Sequence, residues 1–413
     1  MLETQNPNRL YMERLWARYE SLKKEGLSLD MTRGKPCNAQ LDLSNAMHGI
    51  SETHSKDGID CRNYGHPDGI PEARTLCARY LGTDPKRTLV LGQSSLEVME
   101  EVIVQHLLRG GWPAKRKFIC PGPGYDRHFK ILEFYGIGMI LVPMTENGPD
   151  IDAVREAVKD PEVVGIWCMP LYSNPTGYSY SAHVVNALAN LKPACGRFIL
   201  MWDNAYAHHH LDGLTRAAPD IMQFSRNAKT EDRVWIFGSF SKVTVAGAGL
   251  AILSASPKSL EWFQKSQAVR TIGPDKMNQL RHVKFLKTMT GVRALMNRHR
   301  RIIRPKFKAV LQTLEKEIGA KGVADWTNPD GGYFILLKMK LGSAKRVVEL
   351  AKSVGVQLTP AGAPFPYGND PEDAYIRIAP TFPDIKDVRR ATRVLALCAE
   401  IAHREAHPQT TKR

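Results

Sequence analysis

Arg233-Val-Trp-Ile-Phe-Gly-Ser-Phe-Ser-Lys242 is the stretch from which the fold can be read. Its first half is apolar without alternation, the pattern of a strand covered by helices on both faces. It then turns polar, setting the hydroxyls of Ser239 and Ser241 and the amine of Lys242 just past the strand. Two upstream segments repeat that form. Phe198-Ile-Leu-Met-Trp202 runs into Asp203-Asn-Ala-Tyr206, and Val163–Met169 is followed by Asn174-Pro-Thr-Gly177. Ligands of parallel sheets gather at the carboxyl ends of strands. An amine, a carboxylate, a phenol and an amide are therefore expected to meet at one edge.

Outward from these segments, seven β-rich runs stand out: Thr88–Leu91, Lys117–Cys120, Met139–Val142, Val163–Met169, Arg197–Trp202, Val234–Phe237 and Gly249–Leu253. Helical segments at Pro71–Leu81, Glu97–Leu108, 151–158 and 181–191 separate several of them. The layout predicts an α/β fold, a large domain with a mostly parallel seven-stranded sheet flanked by helices. An amphipathic helix over 8–25, with Leu10, Met12, Leu15, Tyr19 and Leu22 on one face, leads into an irregular Arg33-Gly-Lys-Pro36. The text around 260–315 is helical and basic. Beyond Asp325–Gly332, a strand-like Tyr333–Leu337, a short strand Tyr375–Ile378 and helices at 343–354 and 384–404 predict a smaller α+β domain. The expected divisions are 1–47 for an N-terminal helix and arm belonging to the small domain, 48–290 for the large domain and 291–413 for the rest. The residues from His407 onward are expected to be a frayed tail.

The composition, 413 residues with 43% hydrophobic and 24% charged, is ordinary for a soluble globular protein. No stretch approaches the ~18 apolar residues of a membrane helix, and the N-terminus shows no secretory pattern. Seven scattered cysteines without a Cys-x-x-Cys pair argue against a disulfide framework or zinc ribbon and for a reducing, cytoplasmic compartment. The net charge of +15 is spread along the chain, so no nucleic-acid partner is expected. Arg298-His-Arg-Arg301 reads as a solvated helix face, and the charge suits attraction of dicarboxylates. His208-His-His210 would alternate faces on an extended segment, so no metal site is expected there.

The residue types at the strand ends match what pyridoxal phosphate requires. Its aldehyde needs a lysine amine, for which Lys242 is the candidate, and its ring nitrogen needs a carboxylate to stay protonated, for which Asp203 is placed. Tyr206 and Asn174 can hydrogen-bond the ring hydroxyl. Its phosphate needs N–H groups at a helix start, which Gly92-Gln-Ser-Ser95 supplies through Gln93, Ser94 and Ser95, helped by Ser239 and Ser241. Taken singly, each has a bland explanation: a loop lysine, a helix cap or an ordinary turn. Their order along one chain favours the cofactor.

With these motifs in place, the chain resembles pyridoxal-phosphate-dependent aminotransferases of the aspartate aminotransferase fold over nearly its whole length. Arg33-Gly-Lys-Pro, Gly92-Gln-Ser-Ser-Leu and Lys242-Val-Thr-Val-Ala-Gly-Ala-Gly resemble a divergent bacterial subgroup in particular. The resemblance implies that Tyr64 reaches the partner subunit's phosphate, Tyr125 stacks on the cofactor ring, and His128 supports the ring-nitrogen aspartate. It implies that Arg377 grips the substrate α-carboxylate as a fork. Arg270 matches the arginine that reaches across a dimer to a distal carboxylate, with Arg33, Lys276 and Arg281 as alternatives. A homodimer with shared sites follows from the same resemblance. One departure stands out: the family's Gly-x-Arg after the lysine is Gly247-Ala-Gly249 here, and the residue that replaces that arginine is left open. The expected activity is amino transfer between an amino acid, with L-aspartate first, and a 2-oxo acid, with 2-oxoglutarate first. Another donor in a specialised biosynthesis, or β-elimination, stays open. A DNA-binding regulator is disfavoured, because residues 1–63 offer no helix-turn-helix.

Overall fold

Eight strands, not seven, form the large sheet of the computed structural model, which describes residues 7–406. The tail expected from His407 lies outside the described residues. In spatial order the strands are Thr88–Val90, Ala251–Ala255, Val234–Ser239, Ile199–Asp203, Val163–Cys168, Lys117–Gly122, Gly138–Thr145 and Gly148–Pro149. From Val234–Ser239 to Gly138–Thr145 every pairing is parallel, and the outer pairings are antiparallel. All seven expected strands are present. The added one, Gly148–Pro149, folds back on Met144 and Thr145 through a turn whose Gly148 has φ +119°. Two residues carry no hydrophobic period, so the sequence pattern could not reveal it.

The unbroken apolar runs follow from the layering. Val163–Cys168, Ile199–Asp203 and Val234–Ser239 are buried at every position. Alternate residues go to opposite faces. Trp167, Met201, Trp235 and Phe237 pack with Val98, Met99 and Val102 of helix Ser95–Arg109. Ile166, Cys168, Leu200, Trp202 and Ile236 pack with Val184, Val185 and Leu188 of helix Ala182–Ala189. Helices Asp126–Phe134 and Ile221–Asn227, which the sequence reading did not mark, are short.

A separate apolar cluster joins both ends of the chain. Leu15 and Tyr19 of helix Pro7–Lys24 pack there with residues of helices Met289–Ile318, Ala344–Ser353 and Ile385–Ala406. They share it with an antiparallel sheet ordered Ala324–Trp326, Ile335–Met339, Tyr375–Ile378. Leu29–Asp30 pairs in parallel with Val356–Gln357, and Tyr11 Oη donates to Glu400 Oε1 at 2.7 Å. These ties return the Thr32–Lys35 stretch to the open edge of the large sheet. The basic text near 260–315 resolves into helices Pro257–Arg270, Lys276–Leu286 and Met289–Ile318. Arg298 and Arg301 face solvent while His299 turns inward. All seven cysteines are buried and free. Among the described residues, no helix is long and apolar enough to cross a membrane, and no group of His, Cys, Asp and Glu could hold a metal ion.

Candidate active site

Three segments that follow strand ends converge on a cavity of about 510 Å³ at the carboxyl edge of the sheet, carrying Asn174, Tyr206 and Lys242. Tyr125, Asp126 and Arg127 at the start of helix Asp126–Phe134 form one wall. Arg33 to Lys35, Phe334, Thr359 and Arg377 form the other.

The floor is dry. Asp203 is 2% exposed and accepts a hydrogen bond from His128 Nε2–H at 3.0 Å. A carboxylate only accepts, so His128 carries its proton on Nε2. The other oxygen, Asp203 Oδ1, is buried without a partner among the described residues. A buried carboxylate oxygen left idle is costly unless an N–H comes to it. Trp167 stacks on the His128 ring at 4.3 Å and Tyr125 meets it edge-on at 4.9 Å, so the imidazole is held in orientation. Lys242 Nζ lies 5.3 Å from the centre of the Tyr206 ring. Burial pushes the Lys242 ammonium below its ordinary pKa, and the Asp203 charge partly offsets that. Burial also raises the Tyr206 phenol well above its usual range, and burial with Asp203's charge pushes Tyr125 up to about 12. Both phenols keep their protons at neutral pH.

Under the lysine, two imidazoles hold the backbone. His209 Nε2 contacts the Lys242 carbonyl at 3.2 Å, and His299 Nε2 contacts that of Val243 at 2.9 Å, each as donor because a carbonyl accepts. Burial keeps both below the normal imidazole range, His299 at about 4, so both are neutral. The other two histidines of the run have partners of their own, His208 with the Tyr80 carbonyl and His210 with Tyr172 Oη. The three rings point to three different partners, although residues 205–208 form a turn and not the extended segment expected.

Beside the floor, Ser239 Oγ and Ser241 Oγ are 2.6 Å apart, and Ser241 Oγ donates to the Gln93 carbonyl at 2.9 Å. Ser94 caps helix Ser95–Arg109, its Oγ accepting from Leu96 N–H at 3.2 Å. The serine turn and the helix start are thus side by side, a combination of hydroxyls and free N–H groups suited to an anion. At Gly249 a Cβ would lie 2.6 Å from Ser241 Oγ and 2.7 Å from Ser241 N. No arginine fits there while this turn stands, which gives the departure noted in the sequence a steric cause.

Arg377 is 7% exposed in its side chain. Its Nη1 donates to Asp126 Oδ1 at 2.7 Å and Asn174 Oδ1 at 3.4 Å, and its Nε to Thr359 Oγ1 at 3.3 Å. The Phe334 ring supports its guanidinium at 4.9 Å. Gly34 is required beside it, since a Cβ there would come within 2.4 Å of that ring.

The structure therefore brings Lys242, Tyr206, Asn174, Tyr125, Arg377 and Arg33 to the cavity, with Asp203 and His128 beneath Tyr125. Gln93, Ser94, Ser95, Ser239 and Ser241 adjoin it. Tyr64 and Arg270 stand apart: Tyr64 is 79% exposed, and Arg270 pairs with the buried Glu101. Lys276 is committed to the carbonyls of Asn63 and Gly65, pinning the Tyr64 loop. Asp126 and Arg127 were missed, although they lie between Tyr125 and His128. Thr359 and Phe334 carried no local signal at all.

The family model described as aspartate amino-transferase matches residues 5–410. The chain belongs to that family. A Corynebacterium glutamicum aspartate aminotransferase is 41% identical over 407 residues, 96% of this chain and 94% of that protein. A Mycolicibacterium smegmatis protein, classed by name among aminotransferases, is 46% identical over 402 residues and covers 94% of each chain. The crystal structure of an aspartate transaminase from Corynebacterium glutamicum superposes with a TM-score of 0.94 at 40% identity, over 97% of this chain and 98% of that one. This chain is an aspartate aminotransferase-like transaminase, and the strand-end cavity is where its Lys242, Tyr206, Tyr125 and Arg377 meet.

Proposed function

We propose that this aminotransferase uses pyridoxal phosphate to move an amino group between L-aspartate and 2-oxoglutarate, with Lys242, Asp203 and Tyr206 at the centre. The observation that carries the reading is the half-buried Lys242 amine at the cavity, near enough to the buried Asp203 carboxylate to feel its charge, with Asp203 Oδ1 lacking a partner among the described residues. Those groups, with the serine turn and helix start, fit the cofactor's aldehyde, ring nitrogen and phosphate in turn. An α-aminoadipate aminotransferase from Thermus thermophilus, solved with N-(5'-phosphopyridoxyl)-L-leucine, shares the fold at a TM-score of 0.73 and 21% identity, over 94% of this chain and 96% of that one.

When bound, pyridoxal phosphate supplies an aldehyde for the amino group and a ring that accepts the electrons of the broken Cα–H bond. The chain does the rest. Arg377 holds the α-carboxylate and so orients the Cα–H bond. Lys242, its pKa lowered by burial, would take up the α-proton as a neutral amine and deliver it to the carbon of the cofactor's aldehyde. Asp203, oriented by His128, would keep the ring nitrogen protonated from Oδ1. Tyr206 and Asn174 would hydrogen-bond the ring hydroxyl, and Tyr125 would cover the ring face.

Dicarboxylate selectivity is supported by the mouth. Arg33, Lys35 and Arg127 line it, and Asp126 is the acidic residue of the wall. Lys35 Nζ rests over the Phe382 ring at 3.8 Å. The guanidinium groups of Arg33 and Arg127 are exposed and make no hydrogen bond or ion pair among the described residues. We assign the distal carboxylate to these two rather than to Arg270, whose charge Glu101 already balances. The exposed Tyr64, Val269 and Ile272 suit burial against a second copy, and a homodimer is the assembly we expect.

The test is the visible spectrum of the protein loaded with pyridoxal phosphate. Adding L-aspartate should bleach the yellow band, and 2-oxoglutarate should restore it. A yellow protein indifferent to aspartate would reject the donor, and a protein that does not take up the cofactor would reject the reading.

A further inference from the structure

Arg377 already holds a carboxylate, that of Asp126. The Asp126 side chain is 27% exposed against 7% for Arg377, and it is the first residue of its helix. Its Oδ1 lies on Nη1, while Nη2 makes no hydrogen bond among the described residues. A bidentate carboxylate needs both prongs of such a fork. One is occupied by the protein itself.

We propose that Asp126 is an internal stand-in for the substrate's α-carboxylate, holding Arg377 between turnovers and giving way when an amino acid or 2-oxo acid enters. This rests on the assignment of Arg377 above. A guanidinium this deep is costly without an anion, so a carboxylate of the protein or of the ligand is favoured beside it. Thr359, Asn174 and the Phe334 ring hold the arginine by neutral contacts that persist through the exchange. Asp126 has somewhere to go. It sits on the cavity wall with part of its side chain already in solvent, into which it can turn. A ligand's apparent affinity falls by the fraction of molecules in which the pair is open. A molecule without a carboxylate cannot replace Asp126 and leaves the pair closed. Asp126 thus lowers affinity for every substrate and makes a carboxylate the condition of entry.

The experiment titrates maleate, a dicarboxylate without an amine, into the cofactor-loaded protein and its Asp126→Asn and Asp126→Ala variants. Asparagine keeps the size and polarity of the helix start, so loss of fold is not the expected result. Both variants should bind maleate more tightly, by about tenfold if the pair is open a tenth of the time. The KM for L-aspartate should fall in the same direction and move more than kcat. Unchanged or weaker maleate binding in both variants would show that Asp126 braces Arg377 instead of competing for it. Arg377→Lys separates the two levels of the argument: if it leaves maleate affinity intact, the assignment of Arg377 fails, whatever Asp126 does.

Discussion

The floor and the mouth of the cavity adjoin in space, yet they are held by different forces. On the floor, Asp203, His128 and Tyr206 are almost without solvent, and each is oriented by a neighbour or by ring packing. The Lys242 turn rests on two neutral imidazoles. At the mouth, Arg33 and Arg127 are solvated and unpaired among the described residues. On the proposed function, desolvation tunes the chemistry while charge in solvent selects the ligand. Arg377 belongs to both zones, since it is buried like the floor and lines the cavity with the mouth residues.

The comparison breaks first at Lys242. Lys242→Ala should lower single-turnover transamination of L-aspartate by about a thousandfold or more, because general-base and covalent roles are lost together. A variant near the wild-type rate would move the chemistry off the floor altogether.

Acid should find the floor and the core before the mouth. Burial holds His106, His282 and His299 at about 4, against 6.5 for a free imidazole. Between those values the unfolded chain binds more protons than the folded one, so stability is full above 6.5 and lost as the pH falls toward 4. A urea midpoint at about pH 5 should be lower than at about pH 7, on the order of 1 kcal/mol for each imidazole. Equal midpoints would mean that these rings protonate without unfolding anything.

The smallest expected effect sharpens the mouth. Arg127→Gln should raise the KM for L-aspartate about tenfold, the scale of one charge-assisted hydrogen bond, and change that for L-alanine little. Added salt should weaken aspartate binding in the same way. If Arg270→Gln has the larger effect, the distal carboxylate is met across a subunit interface instead.

Much of the floor could be read from the chain because each member ends or follows a buried strand. Lys242, Asp203 and Asn174 announced themselves by a sudden polar residue after an apolar run. Tyr125 and His128 could be placed through the family resemblance, but Asp126 and Arg127 between them could not. Nothing in a local pattern says that a helix-start aspartate will reach a strand arginine that lies 251 positions away. The same limit hid Gly148–Pro149, too short for any period, and the pairing of Leu29–Asp30 with Val356–Gln357.

By itself, the sequence determined the layered fold, the seven long strands of the large sheet and the set of groups that end them. Burial periodicity and polar punctuation are properties of neighbours along the chain. The tertiary structure alone decided that Asp126 rests on Arg377, that Arg270 rests on Glu101, and that Gly249 leaves no room for a side chain against Ser241. Ion pairs and steric exclusion depend on distance in space, and the packing of the separate apolar clusters sets those distances.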